Sequence, residues 1–365
     1  MAEPGSESEA AIEAIARLVP AVLRGLHALE FAGRNLSPAN LPRLVEALKG
    51  RDDDLAPALE ASRAVAWPEH LGPARDCIER AAAAVAGGTA DLVAALEAPE
   101  PLRAAYRALR RHAEAAAAIY PMAAHLEPVS HFFLEAPARG DAALAARLAA
   151  SNPMRKDTGV IHVGGPPGAR GAFSLYVPEY YDAARPWPLV AALHGGSGNG
   201  GAFLWSWLRE ARTRGAIVLS PTAAGSTWSL MEPEIDGANI ERMLTEVSNH
   251  WNVDPARRLL TGMSDGGTFA YVYGLRGDCP FTHLAPVAAS FHPLIMEMAD
   301  GVRLRGLPVR IVHGTQDWMF PPEMAQMAHR VLESAGAAVV YREIGDLSHT
   351  YPRDENGPML EWFLS

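Results

Sequence analysis

The sequence has few cysteines, no long apolar run and no dense block of charge. Its two cysteines, Cys77 and Cys279, are too few for the disulfide framework that stabilises many small secreted domains. No stretch reaches the roughly 18 apolar residues that a membrane span requires. The formal net charge of −10 is spread thinly over 365 residues, which argues against nucleic acid or an anionic membrane as partner. We therefore expect a small substrate with little or no charge.

The N-terminal residues also lack the features of a secretory signal. They are acidic where such a signal is basic, and no apolar segment precedes residue 12. Two free thiols permit a reducing compartment. These features predict a cytoplasmic enzyme, although a sequence from which a signal had been removed would look the same.

The chain contains enough hydrophobic residues to form a packed core. Hydrophobic residues make up 49% and charged residues 20% of the chain, which is ordinary for a globular protein. The length exceeds one average domain. The pattern of residues along the sequence changes near Pro153. We therefore predict an all-α domain over residues 1–152 followed by an α/β domain over residues 153–365.

The first part is rich in alanine and reads as roughly five to seven helices. We predict a helix start at Thr89 after two glycines, and one helix over Leu102–Tyr120 that Pro121 ends. The domain's role stays open between a cap over a substrate pocket, a surface for homo-oligomerisation and a docking module. Apolar residues near the N-terminus recur at three- and four-residue steps and predict one buried helix face: Ile12, Ile15, Val19, Val22, Leu23, Leu26 and Leu29.

In the second part, short apolar runs alternate with helical patterns. This alternation predicts a mostly parallel sheet flanked by helices, with functional loops at the carboxyl ends of the strands. The first two runs enclose a glycine-rich turn and predict a hairpin. The predicted strands are Gly159–Val163, Ala172–Val177, Leu189–Leu193, Ala216–Leu219, Arg258–Leu260, Ala285–Ala288, Val309–Val312 and Val339–Glu343.

One strand runs into a G-x-S-x-G motif centred on Ser264, and a helical pattern follows it. Small residues on both sides of a serine let a strand and a helix meet in a sharp turn that exposes the hydroxyl group. The helix N-terminus also favours the negative charge of a tetrahedral intermediate. The motif alone is weak, but in this strand-turn-helix context it predicts a catalytic nucleophile.

A serine nucleophile requires a base and a group that orients the base. Asp317 and His349 follow the ends of two later strands, in the chain order Ser, Asp, His that this kind of site uses. Asp346 is the less favoured candidate acid, because it shares the loop of His349. His313 is interpreted as packing at a strand end, and His292 as a polar residue near the site.

The segment Leu193-His194-Gly195-Gly196 follows an early strand. Its glycines allow backbone to approach a substrate without intervening side chains. We predict that the backbone N–H groups of Gly196 and Asp265 form an oxyanion hole, with Gly195 as the neighbouring candidate.

The tryptophans that follow strands or motifs are candidates for an aromatic pocket, with scaffold packing as the alternative. Trp228 and Trp318 are favoured as substrate-binding residues, because each follows a strand end closely. No metal site is expected. His125 and His131 do not have the spacing that places two ligands on one helix face, and Asp52-Asp53-Asp54 lacks the alternation of a calcium loop.

Several features of the second part are shared with one group of known proteins: Tyr176-Val177-Pro178, Leu193-His194-Gly195-Gly196, Asp254 ahead of Arg257-Arg258, the motif at Ser264, and His313-Gly314 leading to Asp317. With these features, residues from about 158 onward resemble the α/β-hydrolase superfamily, and within it the polyhydroxybutyrate depolymerase, feruloyl esterase and phospholipase/carboxylesterase-like groups. The resemblance implies an acyl-enzyme mechanism without a metal or organic cofactor, acting on short-chain or aromatic carboxylic esters.

The helical first part has no counterpart in those groups, so alternatives for the function stay open. One is a peptidase or thioesterase on the same scaffold. Peptidases that resemble the prolyl-oligopeptidase type carry a β-propeller, which a helical first half argues against. The other alternative is a binding protein with a vestigial hydrolase fold, which an apparently complete triad makes the weaker interpretation.

Overall fold

The computed structural model describes the backbone of residues 4–365 and the side chains from residue 7 onward. The chain divides into two compact units, Met1–Gly140 and Asp141–Ser365. Sequence analysis placed the division after residue 152, so the helix Ala142–Ala149 (α8) falls in the second unit instead. In that unit, the guanidinium group of Arg147 lies 4.8 Å from the ring centroid of Tyr180.

The first unit is helical, as its alanine-rich texture predicts. Helix α1 packs against α3, α4 and α6, and α4 packs against α5 and α6. Buried aliphatic side chains of α1, α2, α4 and α5 form a continuous core cluster. Within the described residues its α-helices are Pro4–Asn35 (α1), Leu41–Leu48 (α2), Leu55–Ala64 (α3), Gly72–Ala94 (α4), Pro101–Leu109 (α5), Arg111–Ile119 (α6) and Glu127–Phe132 (α7).

The buried face of α1 is not quite the predicted one. Ile12 is 62% exposed, whereas Ala11, Ala14 and Leu18 are buried. Alanines occupy part of this face because α1 lies very close to α4: a Cβ added to Gly25 would lie 2.2 Å from a methyl carbon of Val85. Close packing of helices selects small residues, which a search for large apolar residues overlooks.

The predicted helix start at Thr89 is wrong, because α4 continues through this position. The Thr89 hydroxyl donates to the Val85 carbonyl one turn earlier at 2.8 Å. Gly88 is a packing residue, since an added Cβ would lie 3.0 Å from Arg111 Cβ and 3.1 Å from Leu29. The single helix predicted over Leu102–Tyr120 is interrupted, because α5 ends at Leu109 and α6 begins at Arg111.

The second unit is built on an eight-stranded sheet of order β1-β2-β4-β3-β5-β6-β7-β8. Strand β2 pairs antiparallel with β1 and β4, which confirms the predicted hairpin, and the pairs from β4 through β3 to β8 are parallel. The strands are Gly159–Val163 (β1), Phe173–Val177 (β2), Trp187–Leu193 (β3), Ile217–Pro221 (β4), Val253–Met263 (β5), His283–Val287 (β6), Pro308–Gly314 (β7) and Ala338–Ile344 (β8).

Helices connect most of the parallel strands, and large aromatic and aliphatic side chains fill the core beside the sheet. This arrangement confirms the predicted α/β-hydrolase fold. The parallel strands direct their carboxyl ends, at Leu193, Met263, Gly314 and Ile344, toward the same edge of the sheet. The helices of the second unit after α8 are Gly200–Phe203 (α9), Leu208–Arg214 (α10), Pro233–His250 (α11), Asp265–Gly274 (α12), Gly301–Leu304 (α13), Pro322–Ser334 (α14) and Asn356–Leu364 (α15).

No helix between residues 4 and 365 is both long enough and apolar enough to cross a membrane.

Candidate active site

Ser264 lies in the turn between β5 and α12, in a conformation with φ 55° and ψ −121°. A positive φ is rare for residues with a side chain and marks a strained turn. The Ser264 N–H donates to the Val287 carbonyl of β6 at 2.9 Å, which anchors the turn. A Cβ on Gly266 would lie 2.5 Å from the carbonyl oxygens of both Leu193 and His194. The flanking glycines are therefore required by close backbone contact, as the motif predicts.

Asp317, His349 and Ser264 form a continuous chain of hydrogen bonds. His349 Nδ1 lies 2.8 Å from Asp317 Oδ2, and His349 Nε2 lies 3.0 Å from Ser264 Oγ. Because a carboxylate only accepts, Nδ1 carries the imidazole proton and Nε2 is the acceptor for the serine hydroxyl. All three residues are buried. The structure thus brings together the three residues that the sequence predicts as a triad.

The Asp317 carboxylate is held by backbone as well as by His349. Its Oδ1 accepts from the N–H groups of Met319 at 2.9 Å and Phe320 at 2.8 Å. Burial acts to raise the pKa of Asp317. The hydrogen bond from His349, the electrostatic attraction between His349 and the carboxylate, and the two backbone donors outweigh burial, so the pKa lies below its ordinary value. Asp317 is therefore ionised at neutral pH. Asp346, the other candidate acid, is exposed.

The loops that carry Asp317 and His349 are tied to each other through their backbones. Thr315 N–H donates to the Ile344 carbonyl at 2.9 Å, and Gln316 N–H donates to the Leu347 carbonyl at 3.0 Å. A Cβ on Gly314 would lie 2.1 Å from the Leu347 carbonyl oxygen. The glycine at the end of β7 therefore permits the loop after β8 to pass directly beside it.

Gly195 lies beside Ser264, and Gly196 lies beside Asp265. A Cβ on Gly195 would lie 3.5 Å from Ser264 Cβ, and a Cβ on Gly196 would lie 2.6 Å from Asp265 Oδ2. Asp265 begins α12, where the first N–H groups of a helix have no intrahelical acceptor. Asp265 Oδ2 also accepts a hydrogen bond from the Thr227 hydroxyl. The loops after β3 and β4 and the start of α12 thus meet at the Asp265 carboxylate, next to Ser264.

His194 supports this region in a way that sequence reasoning missed. Its Nε2 accepts from the Ala223 N–H at 3.1 Å, so Nδ1 carries the proton and donates to the Gly195 carbonyl at 2.7 Å. Burial lowers the pKa of His194 to about 4, so the ring is neutral. The Leu193-His194-Gly195-Gly196 segment was noticed for its glycines, but only the fold shows that the histidine fastens the loop to the segment after β4.

Asp236 on α11 is a second support that carries no sequence signal. The side chain is 1% exposed. Its Oδ1 accepts from the Ala224 N–H at 2.9 Å, and its Oδ2 accepts from the Ser229 N–H at 2.8 Å. The carboxylate therefore spans the loop that carries Thr227 and Trp228. An isolated aspartate in an amphipathic helix looks like a solvated residue until the fold is known.

The two favoured tryptophans occupy different environments. Trp228 is 3% exposed, and its indole N–H donates to the His194 carbonyl at 2.8 Å. Its ring packs between His194 and Phe269, so it supports the loop from the core side, contrary to the substrate-binding role predicted for it. Trp318 is 46% exposed, and its ring centroid lies 6.2 Å from that of His349 in an edge-on arrangement.

The two other histidines singled out in the sequence, His292 and His313, lie outside the chain of hydrogen bonds from Asp317 to Ser264. His292 is exposed, and its Nδ1 accepts from the Leu294 N–H at 3.2 Å in the turn after β6. His313 is 1% exposed at the end of β7. Over the described part of the chain, no group of three or more His, Cys, Asp or Glu side chains is arranged to hold a metal ion.

Two curated proteins show what this chain is similar to. It is 32% identical to the probable feruloyl esterase C of Aspergillus niger and 33% identical to the feruloyl esterase C of Emericella nidulans. Each match covers 106 residues, 27% of this chain and 39% of the relative. The chain therefore spans about two fifths of the length of the curated relatives it matches. These relatives and the fold together establish a resemblance to the α/β-hydrolase superfamily.

A phospholipase/carboxylesterase from Dyadobacter fermentans is among the similar solved structures. It is 19% identical, with a TM-score of 0.42, and the match covers 57% of this chain and 97% of that one. No protein-family model matches the sequence.

Proposed function

We propose that this chain is a serine hydrolase that cleaves carboxylic esters, with Ser264 as nucleophile, His349 as general base and Asp317 as the acid that orients the base. The observation that carries this proposal is the unbroken chain of hydrogen bonds from Asp317 through His349 to Ser264, ending at a strained turn. A serine hydroxyl is a poor nucleophile without such a base. A buried, oriented and hydrogen-bonded set of this kind has few other uses.

The proposed reaction follows from these positions. Ser264 Oγ attacks the ester carbonyl carbon while His349 Nε2 accepts its proton, and the Asp317 carboxylate stabilises the imidazolium that forms. The tetrahedral intermediate then breaks its bond to the alcohol, which leaves with the proton from His349. A water molecule, deprotonated by His349, attacks the resulting acyl-enzyme and regenerates Ser264 with release of the acid.

We place the oxyanion hole at the backbone N–H groups of Gly196 and Asp265, with Gly195 as the neighbouring donor. The close approach of these glycines to Ser264 and Asp265 supports this assignment. The free N–H groups and the dipole at the start of α12 favour negative charge at this position.

For the substrate we propose a short-chain or aromatic acyl ester. The two feruloyl esterase C relatives support an aromatic acyl group. The exposed face of Trp318 beside His349 offers such a group a ring to pack against.

The test is hydrolysis of p-nitrophenyl esters, from acetate to long acyl chains, and of methyl ferulate by the full chain. We expect Ser264→Ala to reduce turnover by roughly 10⁴-fold or more, while Ser334→Ala, at an exposed position ending α14, serves as the matched control.

Trp318→Leu is expected to lower kcat/KM for the ferulate ester by about threefold to tenfold and to leave kcat/KM for the acetate ester nearly unchanged.

Turnover that persists in Ser264→Ala would contradict the nucleophile. A folded wild-type protein that hydrolyses none of these esters would contradict the ester substrate and favour thioesters, peptides or a binding function. An equal effect of Trp318→Leu on both esters would contradict its contact with the acyl group.

A further inference from the structure

His313 is a buried histidine that the proposed mechanism does not use. It is the sixth residue of β7, next to Gly314 in the strand, and it pairs in register with Glu343 of β8. Its side chain is 1% exposed. A polar ring this deeply buried requires hydrogen-bond partners, so its contacts indicate what it does.

The His313 ring binds the loop that carries Asp317. Its Nε2 lies 2.9 Å from the carbonyl oxygen of Phe320 and 3.5 Å from Asp317 Oδ2. Because the Phe320 carbonyl only accepts, Nε2 carries the proton and donates to it. Among the described hydrogen bonds the second ring nitrogen, Nδ1, has no partner. The ring therefore makes its one strong hydrogen bond to Phe320.

Phe320 in turn contacts both partners of the Asp317–His349 pair. Its backbone N–H donates to Asp317 Oδ1 at 2.8 Å. Its ring lies edge-on to the His349 imidazole, with centroids 5.2 Å apart. A residue held at its carbonyl by His313 thus contributes one hydrogen bond to the acid and one packing surface to the base.

We propose that His313 is a positioning residue of the active site, which acts through Phe320 to hold the Asp317 carboxylate and the His349 ring in their reactive arrangement. The proposal rests on the function proposed above for Ser264, Asp317 and His349. The strand β7 is hydrogen-bonded on both sides, to β6 and β8, so it provides a rigid base for this contact. The loop that carries Asp317 lies outside the sheet, and the contact of His313 with Phe320 fastens it to this strand.

The test uses three variants of the full chain that differ in whether they can donate to the Phe320 carbonyl. His313→Leu removes the donor. His313→Gln places an amide near the position of Nε2, and His313→Asn places one near Nδ1, out of reach of Phe320. The proton of the His349–Asp317 hydrogen bond gives a low-field proton NMR resonance that reports this bond without any substrate. Far-UV circular dichroism and thermal unfolding establish that each variant is folded.

We expect the resonance to shift or disappear in His313→Leu and His313→Asn and to be retained in His313→Gln. The same two variants are expected to lower kcat for p-nitrophenyl acetate by about tenfold to hundredfold, with KM within about twofold of the wild type. If His313→Leu fails to fold, the comparison of Gln with Asn decides the question.

An unchanged resonance in folded His313→Leu, or identical behaviour of the Gln and Asn variants, overturns the positioning role. This outcome is distinct from a failure of the proposed function. A wild-type protein that shows the resonance but hydrolyses no ester contradicts the ester hydrolase proposal, whereas the NMR comparison of the variants still decides the role of His313.

Discussion

At the scale of single residues, buried polar side chains hold the loops around Ser264 by bonding to backbone groups. Asp317 accepts from two backbone N–H groups, Asp236 from two others, and His194 joins the loop after β3 to the segment after β4. Each satisfies backbone N–H groups that lie in loops, where no helix or strand partner is available to them. Losing one such contact leaves an unpaired buried group, at a cost of about 1–3 kcal/mol.

The buried ring of His194 predicts a pH-dependent stability. Burial lowers its pKa from 6.5 to about 4 in the folded chain. As the pH falls below about 6.5, the unfolded chain binds a proton at this position while the folded chain does not, so stability decreases. The contribution of neutral His194 to the free energy of unfolding is fully present above pH 6.5 and is lost progressively toward pH 4. From pH 7 to pH 5 we expect a loss of about 2 kcal/mol.

Urea unfolding at both pH values measures this effect, with His194→Gln as the variant that cannot titrate. Tryptophan fluorescence is a suitable signal, because every tryptophan except Trp67 lies in the second unit. His194→Gln should lose about 2 kcal/mol less than the wild type between the two pH values. An equal loss in both proteins would show that His194 is not the titrating group.

At the scale of elements, the ends of β7 and β8 form one assembly. The loops after these strands share two backbone hydrogen bonds, and Gly314 leaves no room for a side chain beside Leu347. Asp317 and His349 are therefore positioned together, because a shift of one loop moves the other. This dependence connects the packing of two strand ends to the geometry of the proposed triad.

Gly314→Ala tests this dependence, with Gly345→Ala as its matched control. A Cβ on Gly314 would lie 2.1 Å from backbone, whereas no atom lies within 4 Å of a Cβ on Gly345. We expect Gly314→Ala to lower the free energy of unfolding by about 1–3 kcal/mol and to reduce kcat for p-nitrophenyl acetate by about a hundredfold. Thermal unfolding and steady-state kinetics measure both effects. Similar values for the two alanine variants would contradict the packing argument.

The helical elements show where reasoning from sequence alone is misled. The sequence predicted a helix start at Thr89, directly after Gly87 and Gly88, and glycine does weaken a helix interior. In the fold, Gly88 lies inside α4 because Leu29 and Arg111 from two other helices approach it closely. Neither neighbour is close in sequence, so no local pattern around Gly88 indicates this contact.

At the scale of the whole molecule, the two compact units predict that residues 141–365 fold alone. The sheet and its flanking core lie entirely within this range. A chain that begins at residue 153 would lack α8 and the contact of Arg147 with Tyr180. We expect that chain to be less stable than one beginning at Asp141, by about 1–2 kcal/mol.

Chemical unfolding of both shortened chains, followed by tryptophan fluorescence, checks this expectation. Arg147→Ala in the chain that begins at Asp141 isolates the single contact. Equal stability of the two chains would place the domain boundary after α8, where sequence analysis put it.

Ester turnover by the longer fragment separates the possible roles of the helical unit. A cap predicts an altered acyl preference when the helical unit is removed, and a docking module predicts unchanged turnover.

The sequence by itself determined the order of strands and helices in the second unit. Short β-branched runs, glycine turns and intervening helical periods are local signals, and each predicted strand overlaps one strand of the sheet, although β5 begins at Val253, five residues before its predicted start. Ser264, Asp317 and His349 were predicted as a triad in the same way, because parallel strands direct their carboxyl ends to one edge. Distances between them could not be predicted, because His349 and Ser264 are 85 residues apart.

Only the tertiary structure decided which side chains support the site. His194, Asp236 and His313 act on backbone groups that other segments bring to them, and Trp228 packs in the core where sequence suggested a substrate pocket. The same holds for the glycine inside α4. Such roles depend on contacts between distant segments, and these contacts form only when the chain is folded, whereas strand and helix patterns are set by the local chemistry of neighbouring residues.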